Sequence, residues 1–144
     1  MNTPAVSAQD VCAAARTWLR VPWRHQGRNA AGVDCLGLLV RVALDLGLAV
    51  QDRAGYGRQP GGGALLAELR RQCTERAGPP QPGMVALMRF KREPQHVAFV
   101  VPYALGGLAI VHALCTAGCV TEHRLDDAWR RHIVTLFDLP GVER

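Results

Sequence analysis

Helical patterning in the first half of the chain and short β-rich runs in the second predict an α+β fold, with helices packed on one antiparallel sheet of about five strands. Before Gly78 the apolar residues recur at helical spacing. After Pro82-Gly83 they gather into short runs rich in Val, Ile, Phe and Leu, separated by turn formers. The length sets the scale: 144 residues, 49% of them hydrophobic, suit a single domain over 1–144 that buries its core without disulfides or metal.

Taken in order, Ser7-Ala-Gln-Asp10 pairs a hydroxyl cap with a carboxylate three residues on, a helix start. Val11, Ala14, Ala15, Trp18 and Leu19 continue at helical spacing, so a first helix is expected over about residues 8 to 20, stopped by Pro22. VPWRHQGRNAAGVD reads as a loop. A second helix begins near Asp34, carries CLGLLVRVALDLG and stops at Gly47. It is apolar nearly all round, so it should be buried. Residues 52–63 form a glycine-rich surface loop, suited to edging a groove. ALLAELRRQCTERA reads as a third, amphipathic helix closed by Gly78-Pro79-Pro80. MVALMRF, HVAFVVPY, LAIVHALC, CVTEHRL and HIVTLFDL read as the strands.

Composition narrows the function classes. No apolar run approaches the roughly 18 residues of a membrane-spanning helix. The opening MNTPAVSAQD has neither the basic nor the apolar region of a secretory signal, which predicts synthesis in the cytoplasm. Five cysteines, an odd set without framework spacing, are expected to remain thiols. The net charge of +5, from 17 basic and 12 acidic residues, suits either an anionic partner or plain solubility. The arginines are dispersed, with few aromatics among them, so no nucleic-acid-reading helix or stacking platform is visible.

The most informative segment is Gly32-Val33-Asp34-Cys35-Leu36-Gly37-Leu38. It sets a cysteine in the first turn of a buried helix, directly after a loop. Free backbone N–H groups and the positive end of the helix dipole favour a thiolate there, and could also hold a substrate oxyanion. Gly37 would let another backbone or a substrate approach the helix closely. Read alone, Cys35 is equally well a small buried apolar residue, and its partners must decide. His96 opens one strand and His112 lies within the next. The segment between them contains Gly106-Gly107, so the two strands form a hairpin. A loop centred on Ala104 would set the two histidines face to face. Other registers place them diagonally, or on opposite faces if slipped by one. With the Cys35 helix packed on this hairpin, the first histidine would accept the thiol proton and the second would orient its ring.

These residues together resemble the NlpC-type cell-wall cysteine peptidases. The similar features are Val21-Pro22-Trp23-Arg24-His25-Gln26-Gly27, the Gly-x-Asp-Cys-x-Gly string ending at Gly37, Pro82-Gly83-Met84-Val85, His96-Val97-Ala98 and Val111-His112-Ala113, in that order. The branch found in phage tails and gene transfer agents is similar in its Cys-Leu-Gly form, its Tyr56-Gly57-Arg58 loop and the Glu122-His123-Arg124-Leu125…Trp129 stretch. The resemblance covers about residues 8 to 140. It implies a papain-like fold, Cys35 as nucleophile, His96 as general base and His112 as orienting group, with no cofactor and no metal. Trp23, His25 and Asp34 are the candidate substrate-binding residues. The implied reaction is cleavage of peptide stems in peptidoglycan, next to a γ-linked D-glutamate. Three departures stand out: Trp23 in place of tyrosine, Leu36 in place of serine, and Met84 in place of an acidic residue.

Two other readings compete. His112, Cys115, Cys119 and His123 are zinc-ligand types, but strand alternation would scatter them over both faces. A catalytically inactive structural or plug protein of a tail assembly would keep the same fold. His25, His123 and His132 read as solvated loop or strand-edge groups, Cys12 and Cys73 as core. Without a visible export signal or membrane anchor, delivery by a phage-like tail and its baseplate proteins to the periplasmic wall is the expectation.

Overall fold

The computed structural model describes residues 5–52, 63–91 and 94–144; the Tyr56-Gly57-Arg58 loop lies outside them. Among the described residues these α-helices and strands follow one another: β1 (Val6–Ser7), α1 (Ala8–Arg16), β2 (Arg28–Asn29), β3 (Gly32–Val33), α2 (Cys35–Asp45), α3 (Ala64–Gln72), β4 (Thr74–Arg76), β5 (Val85–Arg89), β6 (Pro94–Pro102), β7 (Leu108–Leu114), β8 (Cys119–Arg124), α4 (Asp127–Arg130), β9 (Ile133–Asp138) and β10 (Val142–Glu143). Six strands form one antiparallel sheet in the order β4-β9-β5-β6-β7-β8, and β1 pairs in parallel with β10. The α+β class is therefore as the sequence predicts.

α1 begins where the cap was read. The Ser7 hydroxyl accepts from the Asp10 N–H, and the Asp10 carboxylate accepts from the Ser7 N–H, closing two of the orphan donors at the helix start. It ends at Arg16, earlier than residue 20, in a turn where Arg20 takes a left-handed φ of 74° and its N–H donates to the Val120 carbonyl of β8. The third helix is also shorter than its periodicity suggests. Thr74–Arg76 leave it to pair with β9, where Arg76 meets Asp138 at 2.7 Å and Glu75 accepts from the Thr135 hydroxyl. Strand pairing and ion pairs override local helix propensity there, and they raise the strand count to six.

The middle strands β5, β6 and β7 are buried on both faces, so alternation sorts their residues between two cores. Val85, Leu87, Val97, Phe99, Val101, Val111 and Phe137 face α1 and α2. Ala86, Met88, Ala98, Val100, Ile110 and Leu136 form the second core, against which Trp129 and Ile133 pack. Such burial explains why VALM is a continuous apolar run in an antiparallel strand, with the exposed Arg89 after it. Removing the buried ring in a Phe99→Ala protein should cost about 3–5 kcal/mol, since a cavity is added to the lost transfer energy.

Candidate active site

The loop before α2 is built to hold the start of that helix. Asp34 is its N-cap and is buried; one carboxylate oxygen accepts from the Gly37 N–H at 2.8 Å, the other from the Gln26 N–H at 2.8 Å. Arg28 ties the same carboxylate in at 3.1 Å and reaches Asp52 at 3.0 Å. The loop rests so closely on α2 that a Cβ at Gly37 would fall 2.0 Å from the Gly27 carbonyl oxygen. Gly37 thus admits another backbone, as its position suggested. Trp23 is half-buried against the helix-side core, its N–H donates to the Gly118 carbonyl, and it bridges Val33, two residues before Cys35. His25 lies half-buried in the same loop.

Cys35 is the first residue of α2. Its thiol donates to the Gln95 carbonyl at 3.9 Å and faces the Val97 N–H, so the sulfur lies against the backbone on either side of His96. The N–H groups of Cys35 and Leu36 also face the sulfur and favour its anion, as the helix start predicts. Burial opposes them and is stronger. With the Asp34 charge adding to it, burial pushes the thiol up to about 11. The resting group is therefore a protonated thiol, a reversal of the direction expected from helix position alone.

The two strand histidines do meet. The β6–β7 ladder runs from Phe99↔Val111 to Pro102↔Leu108, a turn centred on Leu105 rather than Ala104. Extended by one step, this register sets His112 across from Ala98, so His96 and His112 are diagonal neighbours on one face. His96 Nε2 lies 2.7 Å from His112 Nδ1. Both are buried, at 7% and 0% exposure. Burial lowers His96 to about 4, and burial with its two imidazole neighbours drives His112 further down, so both rings are neutral near pH 7.

A third imidazole joins them. His123, read from the sequence as a strand-edge group, lies with Nε2 2.8 Å from His112 Nε2 and Nδ1 3.1 Å from the Arg124 carbonyl. Trp129 roofs the row, edge-on to His112 at 5.3 Å and tilted over His123 at 4.7 Å. Phe90 packs on His96 and His132, at 5.4 and 4.9 Å. The β7–β8 register pairs His112 with Thr121, which places His123 one pleat on and on the same face. The sequence signal was the spacing of two histidines across a short glycine-closed turn; the turn's length had to be known to use it. For the zinc reading, the facing Nε2 atoms of His112 and His123 engage each other, while Cys115 is exposed in the turn. Among the described residues, no three His, Cys, Asp or Glu side chains are grouped to hold a metal ion.

Solved structures share this architecture. An NlpC/P60 family protein from Bacillus cereus superposes with a TM-score of 0.68 at 16% identity, covering 92% of this chain and 40% of that one. The NlpC/p60 domain of the peptidoglycan hydrolase SagA gives 0.66 at 18%, covering 93% of this chain and 100% of that domain. A lipoprotein-like NLP/P60 protein from Staphylococcus aureus gives 0.65 at 15%, covering 100% and 46%. The chain thus spans less than half the length of the Bacillus and Staphylococcus proteins. No curated protein matches it in sequence. The model of the NlpC/P60 family matches residues 20–137, from the proline–tryptophan loop through β9, and on that match the chain belongs to the NlpC/P60 family.

Proposed function

We propose that this chain is a cysteine hydrolase that cleaves peptide stems of bacterial peptidoglycan, with Cys35 as nucleophile, His96 as general base and His112 as the group that orients His96. The observation that supports it most is the seating of Cys35 Sγ on the backbone flanking His96, whose ring bonds His112 at 2.7 Å. Family membership and the likeness to a peptidoglycan hydrolase domain favour the same substrate class.

In the reaction, His96 accepts the Cys35 proton as sulfur attacks the scissile carbonyl carbon. Catalytic hydrogen bonds often tighten only once substrate is bound. Burial favours the neutral thiol and the neutral imidazole, which supports proton transfer in step with attack. The helix-start N–H groups beside the sulfur are placed to receive the developing oxyanion. His96 then returns the proton to the departing amine, and water, deprotonated by His96, cleaves the thioester. Trp23 and His25, in the loop before α2, are the proposed substrate-binding residues, and Asp34 acts by fixing that loop on α2.

We further propose that the protein works within a phage or gene-transfer-agent tail, with tail and baseplate proteins as partners and the periplasmic wall as its place of action. The Cys35-Leu36-Gly37 form and the Glu122-His123-Arg124-Leu125 stretch support this reading. The test is mass spectrometry of fragments released from purified peptidoglycan by wild type and by Cys35→Ala. New stem-peptide ends that appear only with wild type are expected. No release by either protein would favour the inactive structural reading.

A further inference from the structure

The row of imidazoles does not end at His112, and its far end fixes the near one. A backbone carbonyl can only accept, so Nδ1 of His123 must carry the hydrogen that meets the Arg124 oxygen at 3.1 Å. In a neutral ring Nε2 of His123 is then an acceptor, and the 2.8 Å contact requires His112 to donate from its own Nε2. His112 Nδ1 is left as the acceptor in the 2.7 Å contact, so His96 donates from Nε2. What remains is the Nδ1 lone pair of His96. One carbonyl therefore dictates three tautomers in series, and the last is the one with a free basic nitrogen.

We propose that His123 is a positioning residue of this site: with the Arg124 carbonyl behind it, it fixes His112 and through it His96 in the tautomer whose Nδ1 accepts the Cys35 proton. The inference deepens the cysteine-hydrolase reading and rests on it. An orienting carboxylate would set the same tautomer with a charge; here His112, itself fully buried where a charge is costly, does so with His123 behind it. The supporting frame is specific. β8 places His123 one pleat from the residue opposite His112, and Trp129, whose N–H is capped by Asp126 at 2.9 Å, packs on both rings. A strand-edge histidine without a role would need none of these contacts.

Imidazole tautomers are read directly by long-range 1H–15N correlation in histidine-labelled protein at pH 8, assigned with single variants. Wild type should show hydrogen on Nε2 of His96 and His112 and on Nδ1 of His123. His123→Phe removes the acceptor and should mix the tautomers of His112 and His96. Its kcat should fall at least about tenfold with KM little changed, since a wrong tautomer at an orienting group is costly. His123→Gln, whose amide oxygen can accept from His112 Nε2, should restore both the tautomer and kcat to within about threefold. Hydrogen on Nδ1 of His96 in the wild type, an unchanged tautomer and rate in the Phe variant, or a folded Gln variant as slow as Phe would each overturn the proposal. The spectra need no turnover. Cleavage that persists in Cys35→Ala would sink the hydrolase reading while leaving the tautomer assignment to stand or fall alone.

Discussion

The two buried imidazoles make a demand on stability that acid should expose. In the unfolded chain His96 titrates near 6.5, but in the folded protein burial lowers it to about 4. As pH falls below 6.5 the unfolded state takes up a proton that the folded state refuses. The stability tied to neutral His96 is thus complete above 6.5 and lost down to about 4. At pH 4.5 the loss from this ring alone is about 2–3 kcal/mol, from about 1.4 kcal/mol per tenfold difference in proton affinity. His112, lowered by burial and by its imidazole neighbours, adds in the same direction. Asp138 acts elsewhere. Burial raises it, but Arg144 and Arg76 together outweigh burial and hold it below its ordinary 3.8, so its contribution is lost only under more acidic conditions. The assay is urea unfolding by tryptophan fluorescence at pH 7 and 4.5. With a slope of about 1–3 kcal/mol/M, the midpoint should drop by roughly 1 M or more. His96→Asn should show a shallower fall. Equal wild-type midpoints at the two pH values would mean that the histidines are not buried neutral.

Other outcomes follow from the same geometry. Because burial raises Cys35 to about 11, iodoacetamide at pH 7 should label the exposed Cys115 ahead of it, with Cys35 labelling rising steeply above pH 9; peptide mapping reads the order. His96→Ala should slow stem cleavage by about a hundred- to ten-thousand-fold, and His112→Ala by less; the opposite ranking in steady-state rates would reverse their roles. Gly37→Ala, which would drive a methyl into the Gly27 carbonyl, should lower both thermal stability and rate, seen as a reduced Tm and kcat. Asp34→Ala removes the N-cap of α2 and its ties to Gln26 and Arg28, so it should destabilise by at least about 1 kcal/mol in chemical unfolding.

What was legible in the sequence is what short-range physics decides. Ser7 and Asp10 announced the start of α1, Asp34 and Cys35 that of α2, and turn formers separated the five strand runs. What escaped depends on distant partners. Thr74–Arg76 sit inside a helical pattern and become a strand only because β9 and Asp138 receive them. The hairpin register rests on a turn two residues either side of Leu105, and a one-residue difference from Ala104 turned opposed histidines into diagonal ones. His123 was missed because its face is set by the β7–β8 turn. The titration of Cys35 depends on how much protein covers it, and no local motif carries that quantity.

Attack of Cys35 on the stem peptide would leave an acyl-enzyme that can be trapped. Wild type mixed with a peptidoglycan stem peptide is quenched in acid at short times, and its intact mass and peptide map are recorded. A thioester adduct of the acyl half of the stem is expected, confined to the peptide bearing Cys35 and absent from Cys35→Ala, which should also release no product. Adduct on another cysteine, or undiminished cleavage by Cys35→Ala, would contradict Cys35 as the nucleophile.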